Sequence, residues 1–199
     1  MTSRPAAADR PRVLVVQDVP LSARQQKQFL ETEAQKRALD VDVRIVDLRT
    51  PAERLVREQL QGDAPIDWLV VDSPPRMDEW GWAGLQLCDE VIVPVQAEFF
   101  AMHGLSQMLS SLEMAATRLP GKAHLRGILA TMVGLAEPVA AEILEDLRKN
   151  LGDRVLDTVI VRDAMVVEAA SHGHTVFSHS PWSMSALCYA ELVKELIDG

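Results

Sequence analysis

Short apolar runs alternate with amphipathic helical patterns along the chain, and this alternation limits the fold more than any other feature. The runs are unbroken stretches rich in Val, Ile and Leu, as in strands that are buried on both faces of a sheet. They fall at Val13–Val16, Val43–Val46, Trp68–Val71, Val91–Val95, Gly127–Met132 and Val155–Val161. The alternation predicts an α/β fold with a single doubly wound, mostly parallel sheet and helices on both faces.

The segments between these runs carry helix-start and helix-stop signals. Ser22 and Gln25 have capping-box spacing, and Thr50 is followed by a proline at the first helical position. Apolar residues that share one helical face predict three further helices, from Met102 to Ala116, from Ile143 to Leu151 and from Cys188 to Leu196. No linker or repeat interrupts the pattern, so residues 12–199 are predicted to form one domain after a flexible tail at residues 1–11.

The amino-acid composition limits which kinds of binding partner and which cellular compartment we expect. Lys and Arg number 20 against 29 Asp and Glu, which gives a net charge of −9 and no electrostatic support for DNA binding. No apolar run approaches the roughly 20 residues of a membrane span. Cys88 and Cys188 lack metal-ligand or redox-motif spacing, which suits reduced core thiols. We therefore expect a cytoplasmic protein that does not contact membranes.

Asp72 is the first candidate site residue. It ends the apolar run Trp68–Val71 and is followed by Ser73-Pro74-Pro75, and the two prolines disfavour continuation of the strand. In an open parallel sheet, ligands bind outside the carboxyl ends of the strands. Asp72 has the form of a Walker B acid, which holds Mg²⁺ directly or through water. The local alternative is an ordinary aspartate at a strand-to-turn junction.

Four later segments, read together with the aspartate and paired prolines at residues 72–75, resemble the ParA/MinD family of partition ATPases. They read LCDEVIVPVQAEFFAMHGL at 87–105, RGILATM at 126–132, GDRVLDTVIVRD at 152–163 and EAASHGHTV at 168–176. They occur in the family's order and at compatible spacing, from about Ile66 to Ile197. The resemblance implies a P-loop NTPase fold and a role in partition or positioning. It also implies ATP and Mg²⁺ as cofactors, with Asp72 on the metal and Arg162 in the loop beside the nucleotide base.

The chain departs from this family where the phosphate-binding loop should be. The first strand leads into Gln17-Asp18-Val19-Pro20-Leu21, and no glycine occurs before Gly62. A P-loop needs glycines so that successive backbone N–H groups can point at the phosphates, and it needs a lysine to bridge them. Ser22, at a helix N-terminus, and Arg24 are the remaining candidates for anion binding.

Asp47 is the candidate catalytic acid, since it ends the second strand where the family places an acid that positions the attacking water. Arg49 replaces the family's second acid, and the interval from Asp47 to Asp72 is compressed relative to the family. A strand-end aspartate beside the Thr50 cap is the alternative interpretation.

Two aromatic residues and three histidines complete the candidates. Trp80 and Trp82 follow Asp72 in a predicted loop, where exposed rings would suit a protein interface and packed rings would be structural. His172, His174 and His179 are predicted in a polar loop, and a zinc site is disfavoured because no fourth ligand is evident.

The hypothesis that follows is a ParA-like pseudo-ATPase, which needs no cofactor and acts through protein contacts in segregation or cargo positioning. Its partners would be a ParA-type ATPase, a ParB-like adaptor, a cargo or a second copy of the chain. The alternatives are an ATPase with a rebuilt ATP–Mg²⁺ site using Arg24, Asp47 and Asp72, and a DNA-binding segregation factor. Arg148, Lys149 and Arg154 are too few beside Glu142, Glu145 and Asp146 to favour the last of these.

Overall fold

The computed structural model describes residues 13–17, 68–73, 79–98, 101–119 and 123–198. The chain divides into two compact units. The first comprises Met1–Asp89 and Leu119–Ala123, and the second comprises Glu90–Arg118 and His124–Gly199. The predicted tail, the Val43–Val46 strand and the helices beginning near Ser22 and Thr50 lie outside the described residues.

Two parallel strands and one helix make up the described part of the first unit. Strand β1 (Val13–Gln17) pairs with β2 (Trp68–Asp72), and the register aligns Gln17 with Asp72. Helix α1 (Glu79–Leu87) packs against β2. A Cβ on Gly84 of this helix would lie 2.6 Å from Ser73 Oγ, so the glycine permits the helix to approach the end of β2 closely.

The second unit contains two parallel strands and several helices. Strand β3 (Glu90–Gln96) pairs with β4 (His124–Thr131). The helices are α2 (Ala101–Arg118), α3 (Pro138–Leu151), α4 (Ala164–Ser171), α5 (Val176–His179) and α6 (Met184–Asp198), with a 3₁₀ turn at Gly152–Arg154. Parallel strands with intervening helices confirm the α/β class that the sequence predicts.

The core of the second unit lies between β4 and the helices that follow it. Ile128 on β4 and Leu147 on α3 are fully buried. A cluster of buried side chains joins β4 to the segment after α3 and to the C-terminal helix, and its members are Leu129, Leu156, Ile160 and Leu192. The apolar faces that the sequence predicts for α3 and α6 thus contribute to the core.

The predicted strand Val155–Val161 is wrong as a continuous element. Isolated parallel bridges join Ile128 to Val155 and Val133 to Val161, with irregular backbone between them. The backbone N–H groups of Asp157 and Thr158 instead donate to the two carboxylate oxygens of Glu195 on α6, at 2.7 and 2.9 Å. A side chain from a distant helix therefore takes donors that a strand ladder would have used.

The charge state of Glu195 reflects this binding. Partial burial raises the pKa of its carboxyl, but the hydrogen bonds from Thr158 and Asp157 and the charge of Arg126 outweigh burial and leave the pKa below its ordinary value. Glu195 is thus held as a carboxylate that fixes the segment after α3 to the C-terminal helix.

Gly127 on β4 gives a prediction for stability. A Cβ at this position would collide with the side chain of Leu156, which is itself buried in the core. Gly127→Ala is expected to lower the free energy of unfolding by about 1–3 kcal/mol through overpacking. Chemical denaturation followed by circular dichroism measures the change.

Gly104 provides the matched control for this substitution. It lies in the interior of α2, and nothing lies within 4 Å of a Cβ built there. Gly104→Ala should raise stability by roughly 0.5–1 kcal/mol, because alanine has the higher helix propensity. Equal effects of the two substitutions would contradict the proposed clash with Leu156.

Candidate functional site

The carboxyl ends of β1 and β2 meet at one edge of the first unit's sheet. Asp72 is the last residue of β2, is exposed and lies opposite Gln17, the last residue of β1. The sequence-predicted placement of Asp72 at a strand end is confirmed, whereas Ser22, Arg24 and Asp47 lie outside the described residues.

Trp80 and Trp82 are in helix α1, so their predicted placement in a loop is wrong. Gly81 and Gly84 lower the intrinsic helix propensity of this segment. Both glycines are buried, and the packing of α1 on β2 overrides propensity. The side chain of Trp82 is half-buried, and the interface role of the two tryptophans stays a prediction.

In the second unit, the carboxyl ends of β3 and β4 adjoin the segment at residues 155–162. Gln96 is opposite Thr131, and the Ala97 N–H donates to the Thr131 carbonyl at 3.1 Å. Beyond the strand end, the Arg162 N–H donates to the Val133 carbonyl at 2.9 Å. The backbone thus brings Glu98 and Arg162 to one edge.

Glu98 and Arg162 form an ion pair at this edge. Arg162 Nη2 lies 3.2 Å from Glu98 Oε1, and both side chains are about half exposed. Exposed pairs of this kind contribute little stability, about 0–1 kcal/mol. Arg162 is the residue that the family resemblance implies beside the nucleotide base, and here its guanidinium is paired with Glu98.

Asp163, the next residue, holds two helices by their N-termini. Its Oδ1 accepts a hydrogen bond from the Met165 N–H in the first turn of α4 at 2.9 Å. Its Oδ2 accepts from the backbone N–H and the hydroxyl of Ser185 in α6, at 3.1 and 2.9 Å. The hydrogen bond from Met165, and then those from Ser185, lower the pKa of Asp163 below its ordinary value.

Sequence reasoning did not identify this double cap. An aspartate directly before a helix is an N-cap signal, and that signal was available at Asp163. The hydrogen bonds to Ser185 connect residues separated by all of α4, by α5 and by the turn before α6. No local sequence pattern therefore predicts them. Ser183 contributes a further cap, since its hydroxyl accepts from the Ala186 N–H at 3.3 Å.

A cleft of about 530 Å³ opens beside Asp163. Its wall mixes apolar and polar side chains, and Trp182 has 86% of its surface exposed. The lining residues are Leu135, Val161, Arg162, Asp163, Met165, Ser180, Trp182, Ser183 and Met184. The site therefore combines exposed apolar side chains with the guanidinium of Arg162, which is paired with Glu98.

The three histidines cluster around the turn between α4 and α5. The rings of His172 and His179 stack with centroids 5.6 Å apart, and His179 Nε2 lies 3.4 Å from Glu168 Oε1. His179 is in the short helix α5, which corrects its predicted placement in a loop. Among the described residues, no group of His, Cys, Asp and Glu has the arrangement of a metal site.

Comparison with known proteins identifies the family. A family model described as an AAA domain matches residues 19–125, more than half of the chain. The chromosome-partitioning ATPase Soj of Thermus thermophilus is 34% identical over 146 residues, which cover 73% of this chain and 58% of that protein. The chain belongs to the ParA/MinD family.

Solved structures agree with the ParA/MinD fold. The MinD cell division protein of Aquifex aeolicus superposes with a TM-score of 0.69 at 14% identity, covering 96% of this chain and 85% of that one. Cobyrinic acid a,c-diamide synthase of Mycobacterium smegmatis, determined with ADP and magnesium, gives 0.65 at 20% identity, covering 94% and 82%. At these identities the likeness establishes the α/β P-loop NTPase fold.

This member of the ParA/MinD family spans just over half the length of the curated relatives that it matches. Within the described residues, no helix is both long enough and apolar enough to cross a bilayer. Neither Cys88 nor Cys188 forms a disulfide bond, and both are half-buried rather than in the core.

Proposed function

We propose that this chain is a pseudo-ATPase of the ParA/MinD family, which acts through protein contacts in the partition or positioning of a cargo. The observation that carries the proposal is the pairing of β1 with β2. β1 ends opposite Asp72 in the parallel register, and in this family the phosphate-binding loop follows the first strand. The sequence after β1 continues Asp18-Val19-Pro20, and the chain has no glycine before Gly62.

The energetic consequence for nucleotide binding is large. A charge-assisted hydrogen bond to phosphate contributes roughly 1.5–3 kcal/mol, and a P-loop makes several such bonds. Every 1.4 kcal/mol corresponds to about a tenfold change in affinity. Losing three of these bonds would therefore weaken triphosphate binding by about three orders of magnitude or more. Asp18 directly follows β1 in sequence, and its negative charge would oppose phosphate binding further.

The residues present fit Mg²⁺ only in part. An exposed aspartate at a strand end is the kind of group that supplies one oxygen ligand to Mg²⁺ in this fold, and Asp72 satisfies this condition. The remaining ligands of Mg²⁺ in such sites are waters and substrate phosphates. Without a loop that holds a triphosphate, one carboxylate is a weak magnesium site.

Isothermal titration of the full chain with Mg-ATP tests the proposal. We expect no binding with a dissociation constant below about 1 mM, following from the missing hydrogen bonds. Soj of Thermus thermophilus, titrated in parallel, serves as the reference ATPase. Micromolar binding of Mg-ATP to this chain would remove the pseudo-ATPase assignment.

One observation favours a second candidate, an ATPase with a rebuilt site. Asp72 lies at the end of a strand, which is the position of a Walker B acid. If this candidate is right, phosphate release from ATP should fall at least tenfold in Asp72→Ala. Unchanged release in that variant would exclude Asp72 as its metal ligand.

Partners follow from the family and remain part of the proposal. The candidates are a complete ParA-type ATPase, a ParB-like adaptor, a cargo and a second copy of the chain. DNA is the least favoured partner because acidic residues exceed basic ones by 29 to 20. Binding to DNA would be recognised by an affinity that falls steeply with salt concentration.

A further inference from the structure

The segment at residues 155–161 lies at an edge of the second unit's sheet. Isolated bridges join it to β4 on one side, and among the described residues no strand pairs with its other side. We propose that the side chains of Glu195 and Arg148 close this edge, so that a second copy of the chain cannot add to it as a further strand. The inference goes beyond the proposed function, because it does not depend on whether the chain binds nucleotide.

The composition of this segment makes an open edge hazardous. Its sequence is VLDTVIV, which is rich in β-branched residues and holds one charge and no proline. Segments of six or seven residues with this composition pair readily with strands of other chains. The sequence by itself predicts a continuous strand here, and such a strand would present a row of unpaired N–H and carbonyl groups to other copies.

A bulge interrupts the pairing between this segment and β4. The Leu156 N–H donates to the Ile128 carbonyl at 3.0 Å. The next N–H that bonds to β4 is that of Ile160, which donates to the Ala130 carbonyl at 2.9 Å. Four positions of the segment therefore span two positions of β4, whereas a regular parallel ladder matches them one to one. Bulges of this kind bend an edge strand and end its pairing.

Side chains from two helices occupy the backbone groups of the bulge. The Glu195 carboxylate on α6 accepts hydrogen bonds from the N–H groups of Asp157 and Thr158, at 2.7 and 2.9 Å. Arg148 Nη2 on α3 donates to the Asp157 carbonyl at 3.0 Å. A strand from another chain binds through main-chain hydrogen bonds, so it needs groups such as these to be free. The two side chains therefore compete directly with strand addition at the bulge.

The position of Glu195 is set by more than its two hydrogen bonds to the bulge. Arg126 Nη2 on β4 donates to the Glu195 backbone carbonyl at 3.4 Å. Leu192, three residues before Glu195, packs in the same buried cluster as Ile160. Helix α6 is thus attached to the sheet by its backbone and its core residues. Removing the Glu195 carboxylate should therefore free the bulge without displacing the helix.

Sedimentation velocity of the full chain and of Glu195→Ala, over a range of concentrations, tests the inference. The variant frees the N–H groups of Asp157 and Thr158, so the segment can straighten and pair with a second copy. We expect the variant's self-association constant to exceed that of wild type by at least about tenfold. Infrared spectra of the associated variant should show added β-sheet. Equal self-association of the two proteins would overturn the inference.

Glu191→Ala is the matched control for the loss of a charge. Glu191 lies on the same helix, is exposed and pairs with Lys194 at 3.0 Å. The substitution therefore removes a glutamate of α6 without touching the bulge, and self-association should stay as in wild type. If Glu191→Ala and Glu195→Ala raise self-association equally, reduced net charge is the cause and the proposed closure of the edge is wrong.

A second substitution separates an opened edge from a general loss of stability. Asp157→Lys, added to Glu195→Ala, places a lysine on the edge, where natural proteins use lysine to prevent strand addition. The Asp157 side chain is exposed, so the fold should accept the change. We expect the double variant to self-associate as weakly as wild type. Self-association that persists in the double variant would arise from partial unfolding rather than edge pairing, and would overturn the inference.

Discussion

Replacing Leu147 by alanine is expected to lower the free energy of unfolding by about 2–5 kcal/mol. Leu147 lies in α3 with none of its surface exposed, so its removal leaves a cavity that the packed neighbours fill only in part. A domain's total stability is about 5–15 kcal/mol, so the loss is a large fraction of it. Chemical denaturation followed by circular dichroism measures the effect.

The control is a leucine of the same size on the surface. Leu135 is 72% exposed, and Leu135→Ala should change stability by no more than about 0.5 kcal/mol. If both substitutions cost the same, the assignment of Leu147 to the core is wrong.

The sequence predicts this core position because helical periodicity is a local property. Ile143, Leu147 and Leu151 recur at intervals of four, which places them on one helical face, and the structure buries the first two and half-buries the third. Gly152 ends α3 with a φ of 56°, a conformation in which a side chain would be strained. The spacing of the apolar residues and the glycine at the end were sufficient to predict helix α3.

The same reasoning fails where a distant side chain decides the backbone. The run Val155–Val161 has the composition of a buried strand, but the Glu195 carboxylate binds two of its N–H groups from α6. Nothing within the run itself indicates a partner 37 positions away. Helix α1 is the converse case, since a loop is predicted after Asp72 and the segment instead forms a helix packed on β2.

The candidate site, like the fold, was predicted from the sequence only in part. Asp72 could be placed because an acid at the end of an apolar strand reaches the ligand-binding edge of a parallel sheet. Arg162 was identified from the family resemblance, and the structure adds the ion pair to Glu98 that holds it. The cleft around Trp182 was not predicted, because its lining comes from three separate stretches of chain.

Asp163→Ala is expected to loosen the wall of this cleft and to lower the stability of the second unit. The variant removes the acceptor for N–H groups in the first turns of α4 and α6. Ser185 is fully buried, so its N–H has no access to water. A buried donor that loses its acceptor lowers stability, and the Ser185 N–H would be such a donor. Asp146→Ala, an exposed acid on α3, is the control and should have little effect.

Because Asp163 ionises, the stability that its hydrogen bonds contribute depends on pH. Its folded-state pKa lies below the ordinary value of 3.8, so the carboxylate form stabilises the fold. That stabilisation is complete above the ordinary pKa and is lost as the pH falls from there through the lower folded value. Asp163→Asn keeps the shape but does not ionise, so its unfolding free energy should depend less on pH over this interval. If wild type and Asp163→Asn lose stability in parallel below pH 4, the carboxylate does not hold α4 and α6 in the way the hydrogen bonds indicate.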